Sequence, residues 1–421
     1  MELRRPRGTN DILPGEVERW QRLEDAVRTV FDRHGYAEIR LPVFEHTEVF
    51  VRGVGETTDI VEKQMYTFED QGGRSLTLRP EGTAPVVRAY LEHKLHGRGL
   101  PAKLYYIGPM FRYERPQAGR YRQFHQFGAE AIGSDSPLLD VEMMAIPVTI
   151  YRELGLENFR IDLNSIGCEA CRPAYRQALR DYLVTRLDAL CPTCVRRLDR
   201  NPLRVLDCKE KPCIEASEGA PKSYEHLCDE CAEHFAAVQK GLDALGLEYV
   251  VNYRLVRGLD YYTRTVFELV GLDLGAQDAL GGGGRYDGLV EACGGPPTPA
   301  VGFAAGIERV LLSLEKLGVE AEAPALDAYI VVQGETDRAD ALRLAFALRS
   351  AGLRVEMDYL NRSMRAQMRT AQRSGAAYAV ILGESETAAG TALVKDMASG
   401  EQQEVSQERI VDVIRGGRNL G

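Results

Sequence analysis

The sequence predicts an α+β core that is interrupted by a helical insertion and followed by a separate C-terminal α/β domain. Three observations support this prediction. The chain has 421 residues, which exceeds one ordinary hydrophobic core, so two or three domains are expected. Residues 167–246 are rich in cysteine and mostly helical in their apolar period, whereas strand signals lie on both sides of them. Beyond a looser stretch, Gly318 to Ala325, predicted strands alternate with helices. We therefore expect a core over residues 1–324 that contains the insertion, and a C-terminal domain over residues 325–421.

The core is expected to begin with an amphipathic helix and a strand. Apolar residues recur on one stripe from about Glu16 to His34, and Gly35 follows as a helix stop. A strand over residues 37–41 then ends at Pro42. Further strands are predicted at Ser75–Leu78, Phe159–Leu163 and Tyr249–Glu268, and further helices at about Ala84–His96, Pro137–Leu154 and Val301–Leu317.

Residues 108–130 concentrate charged and aromatic side chains in one stretch, G-P-M-F-R-Y-E-R-P-Q-A-G-R-Y-R-Q-F-H-Q-F-G-A-E. Apolar and polar residues alternate after Tyr121, and residues 116–119 are turn formers, so a β-hairpin is expected. Its arginines suit bidentate capture of phosphate or carboxylate, and Phe124 offers a flat face to a base. Those arginines are Arg112, Arg115, Arg120 and Arg122. The plainer alternative is a surface hairpin with solvated arginines.

Three other segments carry groups that could bind an amino acid beside a nucleotide. In R-P-E-G-T, Glu81 and Thr83 can accept hydrogen bonds from an ammonium group, although an exposed turn is the simpler interpretation. Gln126 and Glu130 lie four residues apart on a predicted strand and therefore on one face, which could equally be solvated.

The third segment is R-G-L-D-Y-Y, in which Arg257 precedes a tyrosine pair. Arg257 could approach a carboxylate and a phosphate. Tyr261 and Tyr262 are expected on opposite sides of a strand, so one can reach a pocket while the other packs in the core.

A glycine run, Gly281–Gly284, precedes Arg285 and Tyr286. It does not fit G-x-G-x-x-G, and no G-K-[ST] occurs, so dinucleotide-binding and P-loop folds are excluded. The glycines let the backbone approach a ligand closely or form a tight structural turn.

Eight of the nine cysteines fall within the insertion. The spacing C-x2-C-x19-C-x2-C predicts a tetrathiolate zinc site at Cys168, Cys171, Cys191 and Cys194. A second, looser set comprises Cys208, Cys213, Cys228 and Cys231. Reduced thiols without a metal are the alternative for both sets.

In the C-terminal domain, strands are predicted at Ala328–Val332, Arg354–Met357 and Ala377–Leu382, with a last helix at about Gln407–Arg415. Arg362, Arg365, Arg369 and Arg373 follow helical spacing and would form one basic stripe. Such a stripe fits an RNA backbone, whereas an ordinary solvated face is the alternative.

The net charge of −10 argues against indiscriminate nucleic-acid binding, so any RNA contact must be local. No apolar run approaches the roughly 18 residues of a membrane span. A cytoplasmic protein without membrane contact is expected.

The hairpin sequence resembles motif 2 of class II aminoacyl-tRNA synthetases, in the form F-R-x-E-R-P-Q-x-G-R-Y-R-Q-F-H-Q that marks the histidyl-tRNA synthetase family. The first helix, strand and Pro42 resemble motif 1, and G-I-E-R at residues 306–309 resembles motif 3. R-G-L-D-Y-Y and G-G-G-G-R-Y-D-G-L resemble the two histidine signatures. The resemblance implies a mostly antiparallel six- or seven-stranded sheet flanked by helices, and a C-terminal anticodon-binding domain. It implies activation of L-histidine by ATP to the adenylate, then transfer to the 3′ end of tRNA(His) by a homodimer.

The resemblance also implies roles for individual residues. Arg112 and Arg257 would flank the α-phosphate, Arg120 and Arg309 would meet the outer phosphates with Mg²⁺, and Glu114 and Phe124 would contact adenine. The histidine site would comprise Glu81, Thr83, Arg112, Gln126, Glu130, Arg257, Tyr261, Tyr262 and Tyr286. Two rivals stand beside this hypothesis: a synthetase-like regulatory subunit of histidine biosynthesis, and a zinc-ribbon RNA-binding protein. Retention of Arg112, Arg257 and Arg309 argues against the first, and the two signatures argue against the second.

Overall fold

The structure, a computed structural model, describes residues 3–55, 58–272, 279–319, 325–333 and 338–418. Its contacts divide the chain into two compact units, Met1–Ala321 and Glu322–Gly421. The predicted boundary between residues 324 and 325 falls at a segment, 320–324, outside the described residues.

The first unit is built on an eight-stranded sheet in the described part of the chain, ordered β1-β5-β6-β11-β10-β9-β7-β8. These strands are β1 (Ala37–Glu38), β5 (Ala102–Phe111), β6 (Gln123–Ile132), β7 (Phe159–Ser165), β8 (Tyr249–Val251), β9 (Thr263–Gly271), β10 (Ala279–Arg285) and β11 (Ala300–Gly306). The six inner strands pair antiparallel, while short β1 and β8 add parallel pairs at the two edges. The mostly antiparallel sheet is thus confirmed, and the two short edge strands account for the larger strand number.

A small antiparallel sheet, β2-β4-β3, accompanies the large one. Its strands are β2 (Phe44–His46), β3 (Tyr66–Glu69) and β4 (Ser75–Leu78). The helices of this unit outside the insertion are α1 (Val17–Arg33), α2 (Thr47–Val54), α3 (Thr83–Glu92), α4 (Pro137–Glu153), α10 (Leu289–Ala292) and α11 (Ile307–Lys316).

One buried face of the large sheet packs against α1, α4 and α11. Trp20, Leu23 and Val27 of α1 are buried, as the apolar stripe predicts. Ser136 accepts a hydrogen bond from the Leu138 amide at the start of α4, and this cap confirms the predicted start of that helix.

The predicted hairpin is formed by β5 and β6, with Phe111 paired to Gln123 at its end. Residues 112–122 connect the two strands and carry all four predicted arginines, with Arg122 immediately before β6. Arg122 lies over the ring of Tyr113, with 3.9 Å between its guanidinium carbon and the ring centroid. This contact gives the loop internal order.

The insertion is helical, as predicted, and has a core of its own. Its helices are α5 (Arg172–Val184), α6 (Pro192–Arg200), α7 (Leu203–Leu206), α8 (Lys211–Ala216) and α9 (Asp229–Ala244). The core includes Leu179, Leu198 and Leu206 together with Cys194 and Cys213. Burial of two thiols among leucines ties the cysteines to the packing of the insertion.

The second unit has a five-stranded sheet in its described part, ordered β13-β12-β14-β15-β16. Its strands are β12 (Ala328–Val332), β13 (Val355–Met357), β14 (Tyr378–Leu382), β15 (Thr391–Asp396) and β16 (Gln402–Ser406). Its helices are α12 (Arg338–Ser350), α13 (Met364–Arg373), α14 (Glu384–Ala389) and α15 (Ile410–Arg418). The three predicted strands are present and pair parallel, and the antiparallel pair β15–β16 was missed.

Two predictions of secondary structure in the core are wrong. Residues 255–262 form turns rather than a strand, and β9 begins only at Thr263. Residues 301–306 belong to β11, so that α11 begins at Ile307. Residues 301–306 are rich in Gly and Ala, which carry little periodic signal, so pairing with neighbouring strands decides their conformation. The apolar and aromatic residues of 255–262 suggest a strand, but this segment pairs with no neighbouring strand.

None of the helices in the described ranges combines the length and the apolar composition that crossing a lipid bilayer requires.

Candidate active site

A cavity of about 860 Å³ opens on the large sheet of the first unit. Its walls come from four places: the start of α3, the hairpin, the segment 252–262, and strands β9, β10 and β11 with the start of α11. The insertion supplies a further wall through residues 206–209 and Ile214. Segments far apart in sequence therefore meet around one space of the size that holds a nucleotide and a small molecule.

The residues that border this cavity include the four arginines predicted from three segments: Arg112, Arg120, Arg257 and Arg309. Burial lowers the pKa of the Arg309 guanidinium, and the nearby charges of Arg120, Arg112 and Arg257 lower it further. The sequence analysis predicted that these arginines serve one site, and the structure brings them together. Guanidinium groups that converge in a partly desolvated space offer several positive charges and N–H donors to a polyanion such as a triphosphate.

Hydrogen bonds orient three of these arginines. The Arg257 Nη1 donates to Glu268 Oε1 at 2.6 Å. Arg309 donates from Nη1 to the Ala279 carbonyl at 2.7 Å and from Nε to the Gly119 carbonyl at 3.1 Å. Arg112 donates from Nε to the Pro80 carbonyl at 2.8 Å. Arg112 and Arg257 keep further N–H groups beyond these bonds, because a guanidinium carries five donors.

Arg112 and Phe124 lie against each other, with 5.3 Å between the guanidinium carbon and the ring centroid. Both border the cavity. Glu114 and Arg120 also border it, and they form an ion pair with one another across the hairpin loop. The predicted contacts of Glu114 with adenine and of Arg120 with phosphate would both replace this ion pair.

Glu81 stands at the beginning of α3, where it is 4% exposed. Its two oxygens accept hydrogen bonds from the backbone amides of Thr83 (2.7 Å) and Ala84 (2.9 Å). Burial raises the pKa of Glu81, although those amides and Arg112 favour its ionised form. The carboxylate is therefore fixed in position, with lone pairs left on the cavity side for a cation.

Gln126 borders the cavity beside Glu81 and Thr83. Its side-chain oxygen is buried and has no hydrogen-bond partner among the described residues. An unpaired buried acceptor is costly and marks a place for a donor from outside the chain.

Tyr261 and Tyr262 both line the cavity, with their ring centroids 4.7 Å apart and their planes inclined by 54°. The predicted placement on opposite sides of a strand is wrong, because residues 255–262 are not a strand. A turn conformation allows neighbouring side chains to face the same space, so both phenols are available to a ligand.

Glu130 and Tyr286 do not line the cavity, in contrast to their predicted direct contact with the substrate. Glu130 is fully buried on β6, where Oε1 accepts from the Thr83 hydroxyl at 2.7 Å and Oε2 from the Tyr286 hydroxyl at 2.5 Å. Thr83 itself borders the cavity, so Glu130 lies one side chain behind its wall. Burial raises the pKa of Glu130 to about 8, and the bonds from Tyr286 and Thr83 offset part of that effect.

The neighbouring strand makes room for this carboxylate. Gly302 of β11 pairs with Glu130 of β6, and a Cβ at residue 302 would overlap the Glu130 carboxylate. The glycine run of residues 281–284 lies in β10 and not in a turn. A Cβ at Gly283 would overlap the Gly302 carbonyl. The glycines thus serve close strand packing around the site.

Sequence reasoning missed Glu268, Arg254 and the insertion residues that border the cavity. Glu268 faces Arg257 from β9, eleven residues away, and alternation along β9 is the only signal that could have found it. Asp207 and Lys209 lie in the insertion, about fifty residues from Arg257 in sequence. No pattern links the two segments before the chain folds.

The eight insertion cysteines form two clusters, which pair the sequence differently from the prediction. The base cluster comprises Cys168, Cys171, Cys228 and Cys231. The cavity cluster comprises Cys191, Cys194, Cys208 and Cys213. The predicted set is therefore divided between the two clusters. The folded insertion brings its first and last cysteine pairs together in the base cluster and its four middle cysteines together in the cavity cluster.

The predicted arginine stripe is shorter than expected. Arg365, Arg369 and Arg373 are exposed on α13, whereas Arg362 precedes the helix. Arg362 donates from Nε to Asp358 Oδ1 and so contributes to the turn before α13.

A mostly antiparallel sheet that carries an arginine-rich hairpin, a carboxylate at the start of a helix and a cluster of arginines from three separate segments defines a class II aminoacyl-tRNA synthetase. Comparison with known proteins gives the particular family. A histidyl-tRNA synthetase family model matches residues 8–310, and an anticodon-binding domain model matches residues 327–416. The chain belongs to the histidyl-tRNA synthetase family, and it activates histidine with ATP and charges tRNA with it.

Relatives of this chain are similar over its full length. The histidine–tRNA ligase of Pelotomaculum thermopropionicum is 55% identical over 412 residues, which cover 98% of this chain and 97% of the relative. The corresponding ligase of Desulforamulus reducens is 55% identical over 414 residues, 98% of each chain. The crystal structure of apo histidyl-tRNA synthetase from S. aureus is 39% identical with a TM-score of 0.83, and the match covers 98% of this chain and 100% of that one.

Proposed function

We propose that ATP and histidine bind side by side in the cavity, with the phosphates of ATP against the four arginines. The observation that carries this proposal is the convergence of Arg112, Arg120, Arg257 and Arg309 in one space. Activation requires a carboxylate oxygen of histidine to attack the α-phosphorus while pyrophosphate leaves. Two anions must approach each other in this step, so fixed positive charge lowers its barrier.

Arg112 and Arg257 have the catalytic role in this proposal. Arg112 is held by Pro80 and Arg257 by Glu268, so that neither guanidinium needs to reorganise when charge develops. They would flank the α-phosphate and the attacking carboxylate.

The adenosine half of ATP is placed at the hairpin. Phe124 and Arg112 would hold the base between an aromatic ring and a guanidinium plane, and Glu114 would accept from the adenine amino group. Arg120 would then leave Glu114 for the outer phosphates, beside Arg309. Glu268 and Glu308 border the same cavity, so carboxylate oxygens are present for the Mg²⁺ that accompanies ATP in synthetases generally. The ion supplies additional positive charge to the phosphates.

The amino acid is placed at the start of α3. Glu81, Thr83 and the unpaired oxygen of Gln126 would accept the three hydrogen bonds of its ammonium group. The imidazole would lie beside the Tyr261–Tyr262 pair with Glu130 at its floor, where one ring N–H replaces Thr83 or Tyr286 as a hydrogen-bond donor.

The remaining proposals concern partners and location. The arginines exposed on α13 of the second unit, Arg365, Arg369 and Arg373, would contact the phosphates of tRNA, with Arg362 supporting their helix. The enzyme would act in the cytoplasm as a homodimer. The insertion would bind zinc, since a set of four thiolates is the ligand combination of structural zinc sites.

ATP–pyrophosphate exchange in the presence of each amino acid tests the proposed site. We expect exchange with histidine, and we expect Arg257→Ala to lower its rate by about 100-fold, the usual cost of removing one group aimed at transition-state charge. Arg343→Ala is the matched control, since Arg343 is 72% exposed on the second unit. Equal exchange by the two variants would remove Arg257 from the mechanism.

A further inference from the structure

The sulfur positions in both cysteine clusters match a single tetrahedral metal ion. In the base cluster, Cys168 Sγ lies 3.7 Å from Cys171 Sγ and 3.8 Å from Cys228 Sγ. In the cavity cluster, Cys191 Sγ lies 4.0 Å from Cys208 Sγ. Zinc–sulfur bonds of about 2.3 Å place tetrahedral sulfur atoms about 3.8 Å apart, whereas a disulfide requires about 2.05 Å. The ligand atoms of each cluster all lie within 4.8 Å of one another.

The cavity cluster adjoins the proposed active site. One of its cysteines, Cys208, lines the cavity, together with Leu206, Asp207 and Lys209 on either side of it. Cys194 and Cys213 of the same cluster are buried in the core of the insertion. A metal held by these four thiolates would therefore join the insertion core to the cavity wall.

Polar contacts connect this wall to the segment that carries Arg257. Arg204 on α7 lies between Cys194 and Cys208 in sequence, and its Nη1 donates to the Gly258 carbonyl at 3.2 Å. From the other side, Arg254 donates through Nη2 to the Leu206 carbonyl at 3.1 Å and through Nη1 to the Ser217 hydroxyl at 2.7 Å. Arg254 and Gly258 therefore lie on either side of Arg257 in sequence, and the hydrogen-bond partners of both belong to the insertion.

The contacts of Arg204 also reach beyond this segment. Its Nη2 lies 3.1 Å from Asp59 Oδ2, and Arg197 of α6 reaches the same oxygen, also at 3.1 Å. Helices α6 and α7 therefore contact the core at two separate places, and the cavity cluster brings the start of α6 together with residues 208–213, which follow α7 in sequence.

We infer that a zinc ion bound by Cys191, Cys194, Cys208 and Cys213 positions the segment around Arg257, so that its loss slows histidine activation without removing any group that touches the substrates. This inference rests on the proposed role of Arg257. The ion acts through Arg204 and Arg254, which makes the cavity cluster a positioning site and not a catalytic one. Outer partners that fix a ligating or catalytic side chain commonly contribute about 10- to 100-fold to affinity or rate, and we expect a change of that size in the rate of histidine activation.

The experiment compares zinc content and exchange kinetics in the full-length enzyme purified with zinc. The parent should contain two zinc ions per chain, one for each cluster. Cys191→Ser/Cys208→Ser changes the two half-exposed ligands, which spares the buried thiols of the insertion core. This variant should contain one zinc ion, and its kcat for ATP–pyrophosphate exchange should fall about 10- to 100-fold, with a smaller change in the KM for histidine. Cys293→Ser is the matched control, because Cys293 belongs to neither cluster, and it should keep both ions and the parent rate.

A second variant keeps the test decisive if the double serine variant fails to fold. Arg204→Ala leaves all eight thiols in place, so it should retain two zinc ions while showing the same fall in kcat. Absence of zinc from the parent, two ions in the double serine variant, or normal exchange in either Arg204→Ala or a folded one-zinc variant would each overturn the inference. A parent that binds two zinc ions but does not catalyse histidine-dependent exchange would instead refute the proposed site.

Discussion

Glu130→Gln separates two properties of this residue, its buried ionisable carboxyl group and its proposed place at the floor of the histidine site. Glutamine has nearly the same shape and can still accept a bond from Thr83 or Tyr286. It cannot ionise. The substitution should therefore change how stability depends on pH and how tightly histidine binds, while the sheet remains intact.

The effect on stability follows from the raised pKa of Glu130. Burial moves this pKa from 4.5 to about 8. A carboxyl whose folded-state pKa is raised contributes stability that is complete below its unfolded value and is lost as pH rises through the folded value. At about 1.4 kcal/mol per pKa unit, the loss between pH 4.5 and 9 amounts to roughly 5 kcal/mol as an upper bound.

Urea unfolding of the ligand-free parent and Glu130→Gln at pH 5, 7 and 9 measures this loss. The parent should lose stability relative to the variant as pH rises, so that glutamine becomes the more stabilising residue at pH 9. Parallel pH profiles for the two proteins would show that Glu130 does not carry the raised pKa.

Glu130→Gln should weaken histidine binding, although it makes the protein more stable than the parent at high pH. The imidazole would lose a charge-assisted hydrogen bond, which typically contributes about 1.5 to 3 kcal/mol, so the KM for histidine should rise by about 10- to 150-fold. The KM for ATP should change little. Equal losses for both substrates would indicate damage to the hairpin, and an unchanged KM for histidine would place Glu130 outside the histidine site.

Three further outcomes are expected. A chain that ends before Ala325 should retain exchange but charge tRNA poorly, because the second unit has its own core and the exposed arginines of α13; loss of exchange in a folded truncation would contradict this division. Arg369→Glu should raise the KM for tRNA without changing exchange, whereas Arg343→Glu, on α12, should change the tRNA KM less if contact is local to α13. Arg285→Met should lower the free energy of unfolding by about 3 to 5 kcal/mol, since it leaves fully buried Asp140 with the His234 ring but without its arginine; a loss below about 1 kcal/mol in thermal unfolding would argue against that ion pair.

Periodicity predicted the elements that have a strong one-sided pattern. Helix α1 is found where the apolar residues predict it, because it buries one face against the core. Strand β4 is found where alternation predicts it, although its buried residue is Thr77 and not one of its leucines. Residues 255–262 were misassigned, since their aromatic residues suggest a strand while their real conformation depends on contacts with the insertion. Antiparallel β15 and β16 were missed because their polar outer faces resemble loops.

Recognition of the site depended on residue types, whereas its geometry depended on the fold. The arginines and Gln126 could be chosen from motif resemblance, and they do meet in one cavity. The layer behind that cavity could not be predicted, because the partners of Glu130 come from α3 and from the residue after β10. The cysteine spacing likewise predicted the wrong set of four ligands, since spacing along the chain does not show which helices pack against each other.

The base cluster brings Cys168 and Cys228 to within 3.8 Å although sixty residues separate them in sequence. The chain therefore leaves the core and returns to it at almost one point. An insertion attached in this way can be lengthened, shortened or exchanged without displacing β7 or β9, so the sheet places few demands on its sequence. The cavity constrains the sequence of the insertion more strongly, because residues 206–209 complete one of its walls. Mutational drift in this module should accordingly be limited by turnover more than by folding, and a graft of another insertion onto this core should give a folded protein before it gives an active one.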